Sequence, residues 1–183
     1  MALVKFDIMS NASSRFGCLG WLVLSVLVLV IDHFSKTSVN NTLHMYQRIV
    51  VVPDYLSWTL TYNTGAAFSL LADSDGWQRW FFVVITMIVS AVLVVWLKRL
   101  GRHDTWLAIA LALVLGGAQG NLYDRITIGY VIDFILLHWH NRYYFPAFNF
   151  ADITITVGAI ILLLDIRKRK KTREVVNDSL SIS

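Results

Sequence analysis

The chain has 183 residues, 56% of them hydrophobic, with a mean hydropathy of +0.58 and a formal charge of +4. That composition excludes an ordinary soluble domain and points to the membrane class. A single cysteine, Cys18, excludes an internal disulfide framework and a multi-cysteine metal site, and the positive charge does not signal nucleic acid because the basic residues gather beside apolar segments.

Four apolar stretches approach the length needed to cross a hydrocarbon core of about 30 Å. The first covers about 16–34. Basic residues precede it, as in a signal peptide, but no small-x-small cleavage site follows in His33-Phe-Ser-Lys-Thr, so an uncleaved helix is expected. Cys18 precedes the apolar run and reads as a small packing residue. In the loop at 35–76, Leu56, Trp58, Leu60 and Tyr62 alternate with Ser57, Thr59 and Thr61, a strand pattern with Ile49-Val-Val-Val52 as its partner. One face of this small sheet is apolar, which suits the membrane surface. The second span covers about 77–97 and the third about 105–122. A second loop at 123–149 leads to the fourth span at about 150–166, and the first dozen residues and the tail at 174–183 are expected to be disordered.

Lys and Arg placement orients the chain. Lys5, Arg15, Lys98, Arg99, Arg102, Arg167, Lys168, Arg169, Lys170, Lys171 and Arg173 fall on one side if both termini are cytoplasmic, eleven of the sixteen basic residues. Trp58, Trp77, Trp80, Trp106 and Trp139 suit interfacial positions. The expected fold is an all-α membrane protein, one domain over 1–183, with four transmembrane helices and a small extracytoplasmic β-cradle.

This topology brings amide and carboxylate groups from separate segments to one leaflet: Asp32, Asn63, Asn121, Asp124, Asp133, Asn149 and Asp152. Charge at membrane depth is costly, so their convergence argues for a site. No HExxH string is present, and the spacing of His138 and His140 does not suit a helical metal pair; neither a GxSxG elbow nor a Ser-Lys or Cys-His arrangement is evident. Two aspartates sharing a proton need none of these parts and no metal or cofactor. Asp124 precedes Arg125, which favours a structural carboxylate. Asp133 sits among Val131, Ile132 and Phe134, where desolvation raises its pKa, and Asp152 opens the fourth helix, whose dipole favours an anion. Asp133 is therefore the expected proton holder and Asp152 the expected base, provisionally, since coupled acids titrate as a pair. The plainer alternative is that each Asp caps a helix or turn.

Asp32 and Lys36, four apart, can pair on one helix face. Asn63, Asn121 and Asn149 can clamp a peptide backbone or only satisfy helix ends. Arg125 can orient a carboxylate or a substrate carbonyl, or only pair with Asp124. Gly116 and Gly120 form a GxxxG pair, a helix-packing signal. A proton-coupled carrier remains a rival, disfavoured because the acids cluster at one interface and no half repeats. A non-catalytic lipid or peptide chaperone is another, separated by whether Asp133→Asn stops cutting while binding persists.

Taken together, Asp32-His-Phe-Ser-Lys36, Asn63-Thr-Gly65-Ala-Ala-Phe68, Gly116-Gly-Ala-Gln-Gly120-Asn121-Leu-Tyr-Asp124-Arg125, Tyr130-Val-Ile-Asp133-Phe134 and Phe148-Asn149-Phe-Ala151-Asp152 closely resemble the lipoprotein signal peptidases (signal peptidase II) of bacteria. The resemblance covers nearly the whole chain; Gln119 is bulkier than the small or apolar residue expected there. It implies an inner-membrane aspartic endopeptidase with four helices and an outer β-cradle, with Asp133 and Asp152 as catalytic pair; separately, a monomer is expected. It implies that Asn63, Gly65, Asn121, Arg125 and Asn149 line the substrate site, supported by Asp32, Lys36, Asp124 and Ala151. The implied substrate is a diacylglyceryl-prolipoprotein presented by membrane lipid and cut just before its lipidated cysteine, and the implied inhibitor is globomycin. The loop with Trp58 and 63–68 is expected to cover the bound peptide.

Overall fold

The computed structural model describes residues 18–65, 76–101 and 103–181, with side chains as far as residue 171. Four long helices, α1 (Leu22–Thr42), α2 (Trp77–Arg99), α3 (Thr105–Thr127) and α4 (Phe150–Ser181), carry a small antiparallel sheet at one end. A 3-10 turn at Leu19–Trp21 leads into α1. The expected first dozen disordered residues and the segment 66–75 lie outside the described residues.

Among the described residues, three helical segments are long and apolar enough to cross a membrane: Leu19–Thr42, Trp77–Arg99 and Thr105–Thr127. The fourth expected span is not among them. In α4 only twelve residues separate Asp152 from Asp165, and a basic run follows. Helix α4 also corrects the expected tail: the backbone stays helical to Ser181, since no Gly or Pro occurs after Gly158 to stop it. The outward face of α2 shows Val84, Ile85, Ile88, Val92 and Val95, which suits contact with lipid.

Helix α3 packs against the other three helices, and its glycines make that possible. A Cβ at Gly116 would meet Ser25 and Val28 of α1 at 2.7 Å, and one at Gly117 would strike Ala151 and Thr154 of α4. Gly120 abuts the Asp32 carboxylate closely enough to exclude any side chain. Gly116 and Gly120 thus form the expected packing pair, both against α1. Cys18 joins Leu93, Leu97, Leu107 and Leu111 in the core at the other end, its thiol donating to the Gly101 carbonyl at 3.2 Å. Gln119 donates to Ser90 Oγ at 2.6 Å and so ties α3 to α2.

The sheet runs β1 (Arg48–Val52), β2 (Leu56–Asn63), β3 (Val131–Trp139) and β4 (Tyr143–Tyr144) in that order. The expected β1–β2 hairpin is present, paired Arg48 to Thr59 and Val50 to Ser57. Strand β3 lies within the segment expected as the second loop. It pairs with β2 with Thr61 opposite Asp133 and Asn63 opposite Val131. Strand β2 buries Ser57, Thr59 and Leu60, while Trp58 and Ile49–Val52 of β1 are exposed, which leaves apolar side chains on the sheet surface.

Substitution of Gly120 by Ala should lower stability by about 1–3 kcal/mol through overpacking against Asp32. Gly20→Ala, with open space around its Cβ position, is the control. Thermal unfolding in detergent reads the difference; equal midpoints for the two variants contradict this packing.

Candidate functional site

The site is built outward from a buried cation. Lys36 is 1% exposed, and its ammonium lies 2.7 Å from Asp32 and 2.9 Å from Asp124. The i,i+4 spacing on α1 brings Lys36 beside Asp32, and α3 supplies Asp124 at its C-terminal end, where an anion needs a partner. Asp32 also accepts the Ala151 N–H at 2.8 Å, and Asp124 accepts the Ile132 N–H at 3.3 Å. One cation and two carboxylates therefore tie α1 to α3, to the start of α4 and to the start of β3.

Lys36 has a third partner. It donates to Asn121 Oδ1 at 2.9 Å, which directs the amide nitrogen of Asn121 to Asp152 Oδ1, also at 2.9 Å. The same Asn121 oxygen accepts from Asn149 Nδ2 at 3.2 Å, and that nitrogen donates to Asp133 Oδ1 at 2.7 Å. Asn63 Nδ2 donates to the other Asp133 oxygen at 3.0 Å. Two carboxyl groups, from β3 and α4, are thus held by one relay of asparagines.

Local sequence fixes each part. Gly129, at φ +89°, ends α3 by bonding back to the Asp124 carbonyl and turns the chain into β3. Four residues later Asp133 lies on the strand, 3% exposed. At the start of α4, Asp152 N–H donates to Asn149 Oδ1 at 3.0 Å and Asn149 N–H donates to Asp152 Oδ2 at 3.1 Å. This is a reciprocal capping box. The plainer expectation that Asp152 caps a helix is therefore correct, and the same carboxylate also serves the site. Burial pushes the Asp133 carboxyl up to about 7, and the neighbouring Asp152 charge adds to the rise; the two amide donors oppose it.

Both carboxyl groups open onto a groove of about 1100 Å³ between the sheet and α4, also lined by Asn63, Asn121, Arg125, Thr61 and Ile153. Arg125 donates to the carbonyl of Gly65 at 2.9 Å and to that of Asn121 at 3.3 Å, over the face of Phe82. The expected alternative of an Asp124–Arg125 pair is corrected here. Adjacent helical residues point about 100° apart, and Lys36 neutralises Asp124 instead. Of the expected covering loop, residues 63–65 are described, and 66–68 fall outside the described residues. Trp58 sits on β2 against Phe134, at 5.8 Å between ring centroids.

The sequence reading missed a polar cluster on the sheet. Ser57 Oγ lies 3.1 Å from His138 Nε2, with Arg48 bonded to both. Ser57 is fully buried and the Arg48 fork occupies the imidazole nitrogen, so this Ser–His contact offers no nucleophile. His138 and His140 lie on a strand and its turn, so helical spacing did not apply to them. Only the strand register brings Arg48, Ser57 and His138 together.

Fold and site together define a helical membrane protein with two carboxyl groups held at one groove, an arrangement compatible with acid–base hydrolysis. The family model described as signal peptidase (SPase) II matches residues 24–168. A lipoprotein signal peptidase of Pseudomonas fluorescens is 75% identical over 170 residues, covering 93% of this chain and all of the relative. Another, from Pseudomonas putida, is 69% identical over 167 residues, covering 91% of this chain and 98% of the relative. A solved structure titled as a bacterial membrane enzyme superposes with a TM-score of 0.77 at 28% identity, covering 87% of this chain and 94% of that one. The chain belongs to the signal peptidase II family.

Removing the central cation should unfold this end of the bundle. Lys36→Met leaves two buried carboxylates unpaired and should cost about 3–5 kcal/mol. Adding Asp124→Asn should restore part of the loss. Chemical unfolding in detergent micelles measures both; a Lys36→Met protein as stable as wild type contradicts the assignment.

Proposed function

We infer that this chain is a membrane aspartic endopeptidase that removes signal peptides from diacylglyceryl-modified prolipoproteins, cutting just before the lipidated cysteine. The observation that carries the reading is the asparagine relay holding Asp133 and Asp152 at one groove, within a chain of this family. The peptidase function itself follows from the family, and the residue roles are our assignment.

In this reading the buried Asp133 holds the shared proton and polarises the scissile carbonyl. Asp152, half-buried at the groove, takes a proton from the attacking water. The tetrahedral intermediate collapses as the proton on Asp133 passes to the leaving amine. No covalent enzyme intermediate forms, and no metal or cofactor takes part. Asn63, Gly65, Asn121, Arg125 and Asn149 bind substrate, and Arg125 Nε has no hydrogen-bond partner among the described residues. Asp32, Lys36, Asp124 and Ala151 support them. All of these groups come from one chain, so a monomer suffices.

The basic residues at the ends of α2 and α4 favour an inner-membrane orientation with both termini cytoplasmic and the groove at the periplasmic face. Helix α4 then serves as the fourth span, and its Ile153, Ile155 and Val157 meet the apolar signal peptide from the bilayer. Globomycin, as a peptide ligand of the family, is expected to occupy this groove.

Purified Asp133→Asn and Asp152→Asn should each cleave a lipidated prolipoprotein about 10²–10⁴-fold more slowly than wild type while still binding it. Gel-shift cleavage reads the rate, and a chelator should leave wild type unaffected. Retained cleavage in both folded variants would eliminate the mechanism.

The pH profile supplies a second check. The active form carries one proton on the pair, and that proton leaves Asp133 as pH rises through about 7. Accordingly kcat/KM should fall about tenfold per pH unit on the alkaline side. A rate still climbing at pH 9 contradicts the assignment.

A further inference from the structure

A second charged feature lines the same groove. Arg48 of β1 donates from Nε to Ser57 Oγ at 2.9 Å, from Nη1 to the Tyr144 hydroxyl at 3.0 Å and from Nη2 to Asn141 Oδ1 at 2.7 Å. Its Nη2 also lies 2.7 Å from His138 Nε2. A guanidinium only donates, so the imidazole must accept there and remain neutral. Burial first, and then the Arg48 charge, hold His138 below the usual histidine range. Every partner of Arg48 is therefore uncharged, and among the described residues no carboxylate lies within ion-pair distance of it. Four bonds use four of its five N–H groups and fix the fork. One Nη1 N–H and a full positive charge remain.

Bracing the sheet would account for the four bonds alone. It would not account for an unneutralised cation placed where it lines the groove, together with Tyr144, Asp133 and Asp152. The groove also has two chemically different ends. Ile153, Ile155 and Val157 of α4 line the bundle end, which suits the membrane-embedded part of a substrate. Tyr46, Arg48 and Tyr144 line the sheet end, which suits the polar segment leading away. Along β3, Asp133 and His138 are five positions apart, about 17 Å in a strand. An extended peptide covers that distance in about five residues.

We propose that Arg48 is a specificity-determining residue, pairing with an acidic side chain of the substrate polypeptide about four to six residues past the scissile bond. The inference rests on the peptidase reading above.

The test is a charge scan of lipidated prolipoprotein peptides, with Glu, Gln or Lys placed in turn at each of the eight positions after the cleavage site. With wild type in neutral bicelles, Glu should give about fivefold higher kcat/KM than Lys at one or two positions in the proposed window. With Arg48→Gln that ratio should fall to about one, and Arg48→Lys should retain part of it. A flat wild-type profile overturns the subsite without touching the peptidase reading, and does not depend on any variant folding. A rate that follows anionic lipid in the bicelle and ignores peptide charge also overturns it. An unchanged ratio in Arg48→Gln assigns the preference elsewhere. No cleavage of any peptide by wild type would sink the peptidase reading, and this inference with it.

Discussion

A lysine ammonium removed from water, with a carboxylate on either side, is the constraint on which this structure depends. Lys36 is held between Asp32 and Asp124, and each of these acids also accepts a backbone N–H from a different element. Burying such a triad gains little net stability, because desolvation offsets most of the attraction. Its value lies in position. Any displacement of α1, α3, α4 or β3 strands a charge in an apolar interior, so these four elements have one low-energy arrangement. Gly120 serves the same end, since only a residue without a side chain lets the Asp32 carboxylate lie against α3.

The triad reaches the candidate pair through hydrogen-bond polarity. A cation on Asn121 Oδ1 leaves that amide one orientation, with its nitrogen toward Asp152. The same oxygen receives Asn149, whose single amide nitrogen is thereby placed between Asn121 and Asp133. Asn149 also belongs to the capping box of α4, so formation of that helix and placement of both carboxyl groups are one event. The two acids differ because their surroundings differ: Asp133 is enclosed by the strand and Asp152 faces the groove.

Much of this was legible in the sequence, for reasons specific to each residue. Spans one to three follow from long apolar runs, and the convergence of Asp32, Asn63, Asn121, Asp124, Asp133, Asn149 and Asp152 follows once those spans are ordered. The Asp32–Lys36 pair is a local, four-residue relation. The apolar run of β3 was not read as a strand, because both of its faces are largely covered and the period of two is lost. The partner of Asp124 was misjudged because sequence adjacency to Arg125 says nothing about which way two helical side chains point. Arg48, Ser57 and His138 are far apart in the chain, and only strand register joins them. The fourth helix was legible at its start, from Asn149 and Asp152, but not at its end, where no breaker interrupts the helix.

The central claim is that burial and the neighbouring Asp152 charge keep a proton on the Asp133 carboxyl until pH rises through about 7. Infrared difference spectroscopy of aspartate-labelled protein measures this directly through the carbonyl stretch of a protonated carboxyl. The account predicts one such band assignable to the pair, fading as pH passes about 7 and absent in Asp133→Asn. An Asp133 carboxyl fully ionised from pH 5 to pH 8 would contradict it.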